Sequence, residues 1–212
     1  MDKLEKCLEY YDFLLDKEFH YKLKGNKSTY KFKLFFTPGN FPHLIGLHKL
    51  KDIEIIRKFN DKENQDISAN TLCKMIKNKK LTYKMIEKSD FFDLIKNRIT
   101  YFRSLNELVL SNQFVKFVVD KTEDGSKVKA EFIVYLKKND KYMHLFIAKN
   151  HEKRYYYPET YIVSDDDYFI KNQKKIKLKD VNTTFKKKEK LGELTEKEIE
   201  AAITEVEKEN NK

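Results

Sequence analysis

The chain carries only two cysteines, Cys7 and Cys73, and they have neither CxxC spacing nor the companions that a zinc site needs. Two such residues are too few for a disulfide scaffold, and both read as free thiols. Also absent is any run of about 18 uncharged apolar residues, so no segment reads as a membrane-spanning helix and no membrane partner is expected. The N-terminal stretch MDKLEKCLEYYDFLL is amphipathic and of mixed charge, unlike a signal peptide, which makes the cytoplasm the expected location. No P-loop, Rossmann fingerprint, HExxH or GxSxG pattern occurs, so the common routes to an ATPase, dehydrogenase, metalloprotease or serine hydrolase lack their signature. The run Asp165, Asp166 and Asp167 reads as a solvated turn rather than a cation site. No metal and no cofactor are implied.

Charge and aromatic residues are abundant instead. With 40% hydrophobic and 14% aromatic residues, including 13 Tyr and 16 Phe, the chain has enough core formers to fold despite 37% charge. The 212 residues suit one domain of ordinary size. Of the net +10, residues 193–212 hold seven Glu against three Lys, a balance of −4, which leaves +14 on residues 1–192. So large an excess, interleaved with Tyr and Phe, points to a polyanionic partner, nucleic acid before membrane.

The hydrophobic pattern divides the chain. Leu4, Leu8, Tyr11, Leu15 and Phe19 recur at steps of three and four, which predicts a helix to about Tyr21, ended by Gly25 and Asn26. Tyr30, Phe32, Leu34 and Phe36 then alternate as a strand closed by Pro38 and Gly39. Pro42 suits the first turn of a helix, Asp52 could cap another over Ile53 to Phe59, and short helices are expected near Ser68–Lys77 and Thr82–Lys88. A longer helix is predicted from Asp90 to Leu110. With Phe91 set at 0°, Ile95, Ile99, Phe102, Leu105 and Val109 fall within ~80° of it, and Arg98 at ~340° lies in the same apolar arc. A desolvated guanidinium there needs a partner.

After this helix the period changes from 3.6 to 2. Four alternating strands are predicted, around Val115–Val119, Val128–Leu136, Met143–Ile147 and Tyr155–Val163, with Asp124-Gly125 and Asn139-Asp140 as hairpin signals. The expected fold is α+β, with N-terminal helices packed on a C-terminal four- to five-stranded antiparallel meander sheet. Residues 171–190 hold nine Lys against one Asp and one Glu around Ile176 and Leu178, and read as a basic edge. Thr195 to Glu198 forms a capping box that opens an acidic helix to about Glu209.

Within this frame the segment FPHLIGLHKL, residues 41–50, places His43 and His48 on either side of Gly46. Five residues apart, they sit about 140° apart on a straight helix and on opposite faces of a strand, so both reach one pocket only if Gly46 bends the chain. They are the first candidates for proton transfer, with His48 favoured because Lys49 follows it and a positive neighbourhood would hold phosphate. The safer inference is that one is at a site and the other is structural; the alternative is that both are structural. His144 alternates with Tyr142 and Phe146 and reads as structural, while His20 and His151 read as surface residues. Arg154, Tyr155, Tyr156, Tyr157, Thr160 and Tyr161 offer a cation, phenols and a hydroxyl on one strand, suited to phosphate contacts and base stacking. Lys174, Lys175 and Lys177 extend the basic surface, with Gln173 beside them.

The segments FPHLIGLHKL, LIKNRITYF, YMHLFIAKN, YYPETYIV and YFIKNQ, in that order over about residues 30–180, resemble a phage-associated nuclease family of the barnase, EndoU, colicin and RelE superfamily of small ribonucleases. The resemblance implies a metal-independent endoribonuclease of toxin or phage-defence type. A base takes the 2′-hydroxyl proton, the oxygen attacks the adjacent phosphorus, and an acid protonates the departing 5′-oxygen to leave a 2′,3′-cyclic phosphate. It implies His43 or His48 for proton transfer, Arg98 for the phosphorane charge, and Thr160, Tyr156 or Gln173 for orientation, with Glu107 and Glu131 as reserve bases. RNA is then the partner, and a protein inhibitor of antitoxin type accompanies it if the chain is a toxin. The rival reading is an inactive RNA-binding or protein-interaction module of a mobile element. On either reading residues 1–27 are an N-terminal helix, 28–190 a nuclease-like α+β domain, and 191–212 an acidic C-terminal helix.

Overall fold

The computed structural model describes residues 1–26, 28–61, 63, 67–122, 126–152 and 155–185; the expected acidic helix, Asp124-Gly125 and Arg154 lie outside them. Helix α1 (Lys3–Leu15) buries Leu4, Cys7, Leu8, Tyr11 and Leu14, and Asp2 caps it by accepting from the backbone N–H of Leu4 and Glu5. It ends sooner than its spacing predicts. Phe19 lies four residues beyond Leu15 and so fits a helix, but Phe19, Tyr21 and Leu23 alternate inward on strand β1 (Lys17–Lys24). The expected helix over residues 1–27 is thus a helix followed by a strand.

Strand β2 (Thr29–Phe35) runs antiparallel to β1, pairing Phe19 with Leu34 and Tyr21 with Phe32. There follow α2 (Phe41–Ile45), a 3₁₀ turn at Leu47–Lys49, α3 (Glu54–Asn60), α4 (Ala69–Lys77), α5 (Tyr83–Ile86), α6 (Asp93–Tyr101), a second 3₁₀ turn at Phe102–Ser104, and α7 (Leu105–Leu108). The single helix expected over Asp90–Leu110 is therefore broken in its middle, yet Ile95, Arg98, Ile99, Phe102, Leu105 and Val109 are all buried. Asp52 does not cap α3. Its carboxylate accepts from the Ser89 hydroxyl at 2.6 Å and the Asp90 N–H at 2.9 Å.

Five more strands complete the chain: β3 (Gln113–Lys116), β4 (Phe132–Lys138), β5 (Lys141–Asn150), β6 (Tyr155–Ser164) and β7 (Lys174–Phe185). They form a closed barrel in the order β1-β2-β6-β5-β4-β3-β7, with β7 returning to β1. All neighbours are antiparallel except β2 and β6, which meet in parallel at the single pair Leu34 and Tyr156. This overturns the expected meander sheet with helices packed on it. Strands β3 to β6 do pair in chain order, but they are an arc of the barrel rather than a sheet with edges. Closure comes from β1 and β7, which pair from Lys17 with Phe185 to Lys24 with Lys177. One of these reads as the end of a helix, and the other as a charged edge because Ile176 alone is buried along it. A closed barrel leaves no unpaired strand edge, which removes the need for the edge that residues 171–190 suggest.

The helices lie at one end, since α1 leads into β1, α2 follows β2 and α7 leads into β3. One core cluster joins the barrel interior (Tyr21, Leu34, Phe132, Leu145, Tyr161) to the helices (Leu8, Phe41, Ile95, Phe102). Buried hydroxyls bind backbone carbonyls across this junction: Tyr21 donates to Val109 at 2.6 Å, and Tyr161 to Tyr101 at 2.9 Å. A smaller cluster covers the outer face of β3 to β5, where Val115, Ile133 and Phe146 pack under Phe117 and Ile170. At the other end β1, β3 and β5 finish and β2, β4, β6 and β7 begin. Among the described residues no helix is long and apolar enough to cross a membrane.

Candidate active site

Beyond Leu34 and Tyr156, β2 no longer pairs with β6, and α2 packs against β6 there. Pro42 lies in the first turn of α2, where its missing N–H costs nothing. Gly46 ends the helix with φ +87°, the left-handed conformation that glycine adopts without strain. A Cβ on Gly46 would lie 2.6 Å from Cγ2 of Ile95 and 3.2 Å from Cδ of Arg98, so this residue also lets α2 approach α6. The bend that the histidine pair requires is present. The His43 and His48 rings lie 5.2 Å apart, with Phe59 5.8 Å from His43.

Arg98 stands behind this turn, only 7% exposed. Its Nη1 donates to Oγ1 of Thr160 at 3.2 Å and to the carbonyls of Leu44 and His43 at 3.4 and 3.5 Å. Among the described residues no carboxylate lies within ion-pair distance of it. Its charge is thus held by dipoles alone, and burial lowers its pKa to about 10. Thr160 reaches the arginine from β6 beside a bulge. Phe146 faces Thr160 but Ile147 faces Pro158, so Glu159 is the extra residue. Such a bulge re-aims the side chains around it, and proline within a strand is a common sign of one.

The two imidazoles differ. His43 is exposed, and burial of part of its ring lowers its pKa while the nearby Glu159 carboxylate raises it. His48 is half-buried, and its Nδ1 lacks a well-formed hydrogen bond. Burial first, then His43, Arg98 and Lys49, bring its pKa down to about 4, against the pull of the Pro42 carbonyl. Lys49 follows on the 3₁₀ turn with its pKa lowered by burial, Arg98 and Lys51. Both histidines are therefore neutral at pH 7, beside two cations.

The structure does not gather every expected residue here. Tyr156 belongs to a separate group: its hydroxyl donates to Oε2 of Glu131 at 3.1 Å, its ring packs on Phe32, and burial and Glu131 push its pKa up to about 12. Gln173 is buried and uses both ends of its amide on the backbone of Val118, accepting and donating at 2.9 Å. Lys174, Lys175 and Lys177 are exposed on β7, three strands from β6 one way around the barrel and four the other. Glu107 binds Lys138 at 2.9 Å, and Glu131 binds Lys116 at 3.0 Å. Asp165 pairs with Lys141, and among the described residues no group of His, Cys, Asp and Glu could hold a metal ion. Glu159, beside His43, was missed from the sequence; Pro158 in a predicted strand was the available signal.

Against known families, the model described as phage-Barnase-EndoU-ColicinE5/D-RelE like nuclease4 matches residues 3–202. No curated protein and no solved structure matches the chain.

Proposed function

The chain belongs to this family of phage-associated nucleases, and from that premise we propose that it is a metal-independent endoribonuclease whose active site is the turn at His43–Lys49 with Arg98 and Thr160. The observation that carries the reading is a buried guanidinium without a carboxylate, 3.2 Å from the Thr160 hydroxyl and beside two neutral imidazoles. An arginine already paired to a carboxylate would be neutralised before phosphate arrived. This one is free to take the charge that develops on the phosphorane.

His43, exposed and neutral at pH 7, takes the 2′-hydroxyl proton. The resulting oxygen attacks the adjacent phosphorus, and the 5′-oxygen departs with a proton from Lys49, leaving a 2′,3′-cyclic phosphate. Thr160 and the α2 carbonyls orient Arg98, and His48 packs beside His43 as a neutral wall. This order differs from the expectation that favours His48: its low pKa and its buried Nδ1 suit it less to proton transfer than the exposed His43. As a toxin or phage-defence enzyme, the protein would be held in check by a protein inhibitor.

Incubating the protein with total RNA in EDTA tests the reading. New 2′,3′-cyclic ends are expected, with the rate falling about 10²- to 10⁴-fold in His43→Ala. Retention of RNA without cleavage would instead indicate a binding module, and unchanged cleavage by His43→Ala would remove that histidine from the chemistry.

A further inference from the structure

A cleft of about 390 Å³ lies where β5 ends and β4 and β6 begin, lined by Lys129, Glu131, Lys149, His151 and Tyr157. It is basic, because the Glu131 carboxylate is already held by Lys116 at 3.0 Å and by the Tyr156 hydroxyl at 3.1 Å. Lys129 and Lys149 stand around it, and among the described residues neither ends in an ion pair, although Lys149 lies near enough to Glu131 to help lower its pKa. Tyr157 adds an aromatic ring to the wall, and the Glu159 carboxylate lies close enough to its hydroxyl to raise its pKa, after burial.

The course of β6 gives the cleft its significance, because Glu159, two residues after Tyr157, is the bulged residue that lies close to His43. Tyr157, Glu159 and Thr160 therefore lead along β6 from this cleft to the turn with Arg98. At about 3.3 Å per strand residue the two are roughly 10 Å apart, close enough for one short RNA strand to reach both. We propose that the cleft is a subsite for the RNA chain next to the point of cleavage. Lys129 and Lys149 hold a backbone phosphate, and Tyr157 supplies a face for the adjoining base.

This rests on the ribonuclease reading for the direction of the strand, but its test does not depend on cleavage. The probe is a single-stranded RNA of about eight nucleotides, 2′-O-methylated throughout so that no 2′-hydroxyl can attack. The paired substitution Lys129→Ala and Lys149→Ala should weaken its binding by at least about tenfold, as expected for the loss of charge-assisted hydrogen bonds. It should also flatten the log–log salt dependence by about 1.4, or 0.7 per phosphate contact. Lys84→Ala with Lys88→Ala removes the same charge from exposed positions elsewhere and should leave both unchanged. Wild-type protein that does not bind the probe, cleft variants that bind like wild type, or control variants that lose as much affinity would each overturn the subsite. If wild type fails to cleave total RNA yet its probe binding needs Lys129 and Lys149, the subsite stands and the nuclease reading fails.

Discussion

Replacing His144 by phenylalanine should leave the protein as stable as wild type at pH 7 and make it more stable at pH 5. His144 is fully buried on the outer face of β5, its ring stacked 6.2 Å from Tyr142 and edge-on to Phe169 at 5.5 Å. Neither ring nitrogen makes a well-formed hydrogen bond. Burial brings its pKa down from 6.5 to about 4, while the Ile162 carbonyl and Asp166 pull it upward. In the unfolded chain the ring titrates near 6.5. Above that pH it is neutral in both states and contributes no pH dependence; below it, the unfolded chain binds the proton first and stability falls until the folded ring also titrates near 4. A difference of about 2.5 pH units is worth about 3 kcal/mol in full, and about 2 kcal/mol of it is lost by pH 5. The carboxylates and His48 also titrate in this range. The quantity to measure is therefore the difference in unfolding free energy between wild type and His144→Phe, by urea denaturation from pH 7.5 to 4. That difference should be near zero at pH 7 and should grow in favour of phenylalanine as pH falls. Parallel curves, or a variant weakened by 2 kcal/mol or more at pH 7, would refute the picture of a neutral and poorly partnered ring.

Three other outcomes test the site and its frame. Gly46→Ala must place a Cβ against Ile95 at a positive φ, so it should destabilise the protein by about 2–5 kcal/mol and lower cleavage with it; a Tm within a degree or two of wild type would mean that α2 and α6 separate easily. Arg98→Lys keeps a charge but loses the fork that reaches Thr160 and phosphate together, and it should reduce kcat by at least about 100-fold with a small change in Tm; a large drop in Tm with kcat kept in the folded fraction would make Arg98 a core residue. Lys174→Ala, Lys175→Ala and Lys177→Ala together should flatten the salt dependence of binding to long RNA by about 2 and leave the eight-nucleotide probe unaffected, because β7 lies across the barrel from β6; an equal effect on both lengths would contradict that arrangement.

Local pattern by itself determined much of this protein. The alternation through Val115, Phe132, Met143 and Tyr161 marks strands because side chains on a pleated chain face opposite sides at period two. The angular count puts Arg98 on a buried arc because one helical turn fixes that angle, and the arc survives the 3₁₀ turn after Tyr101. The residues FPHLIGLHKL state that two imidazoles flank a glycine, but only the left-handed Gly46, packed on Ile95, brings their rings to 5.2 Å. Barrel closure was not legible for a related reason. Phe19 satisfies helix and strand spacing alike, and β7 buries little of its own, so the seam between them forms only by pairing over long sequence separation. The bulge at Glu159, close to His43, depends in the same way on the register of β6 against β5. Periodicity is a property of neighbours along the chain, whereas a seam, a bulge and a carboxylate-free guanidinium are properties of segments that meet only when the barrel is formed.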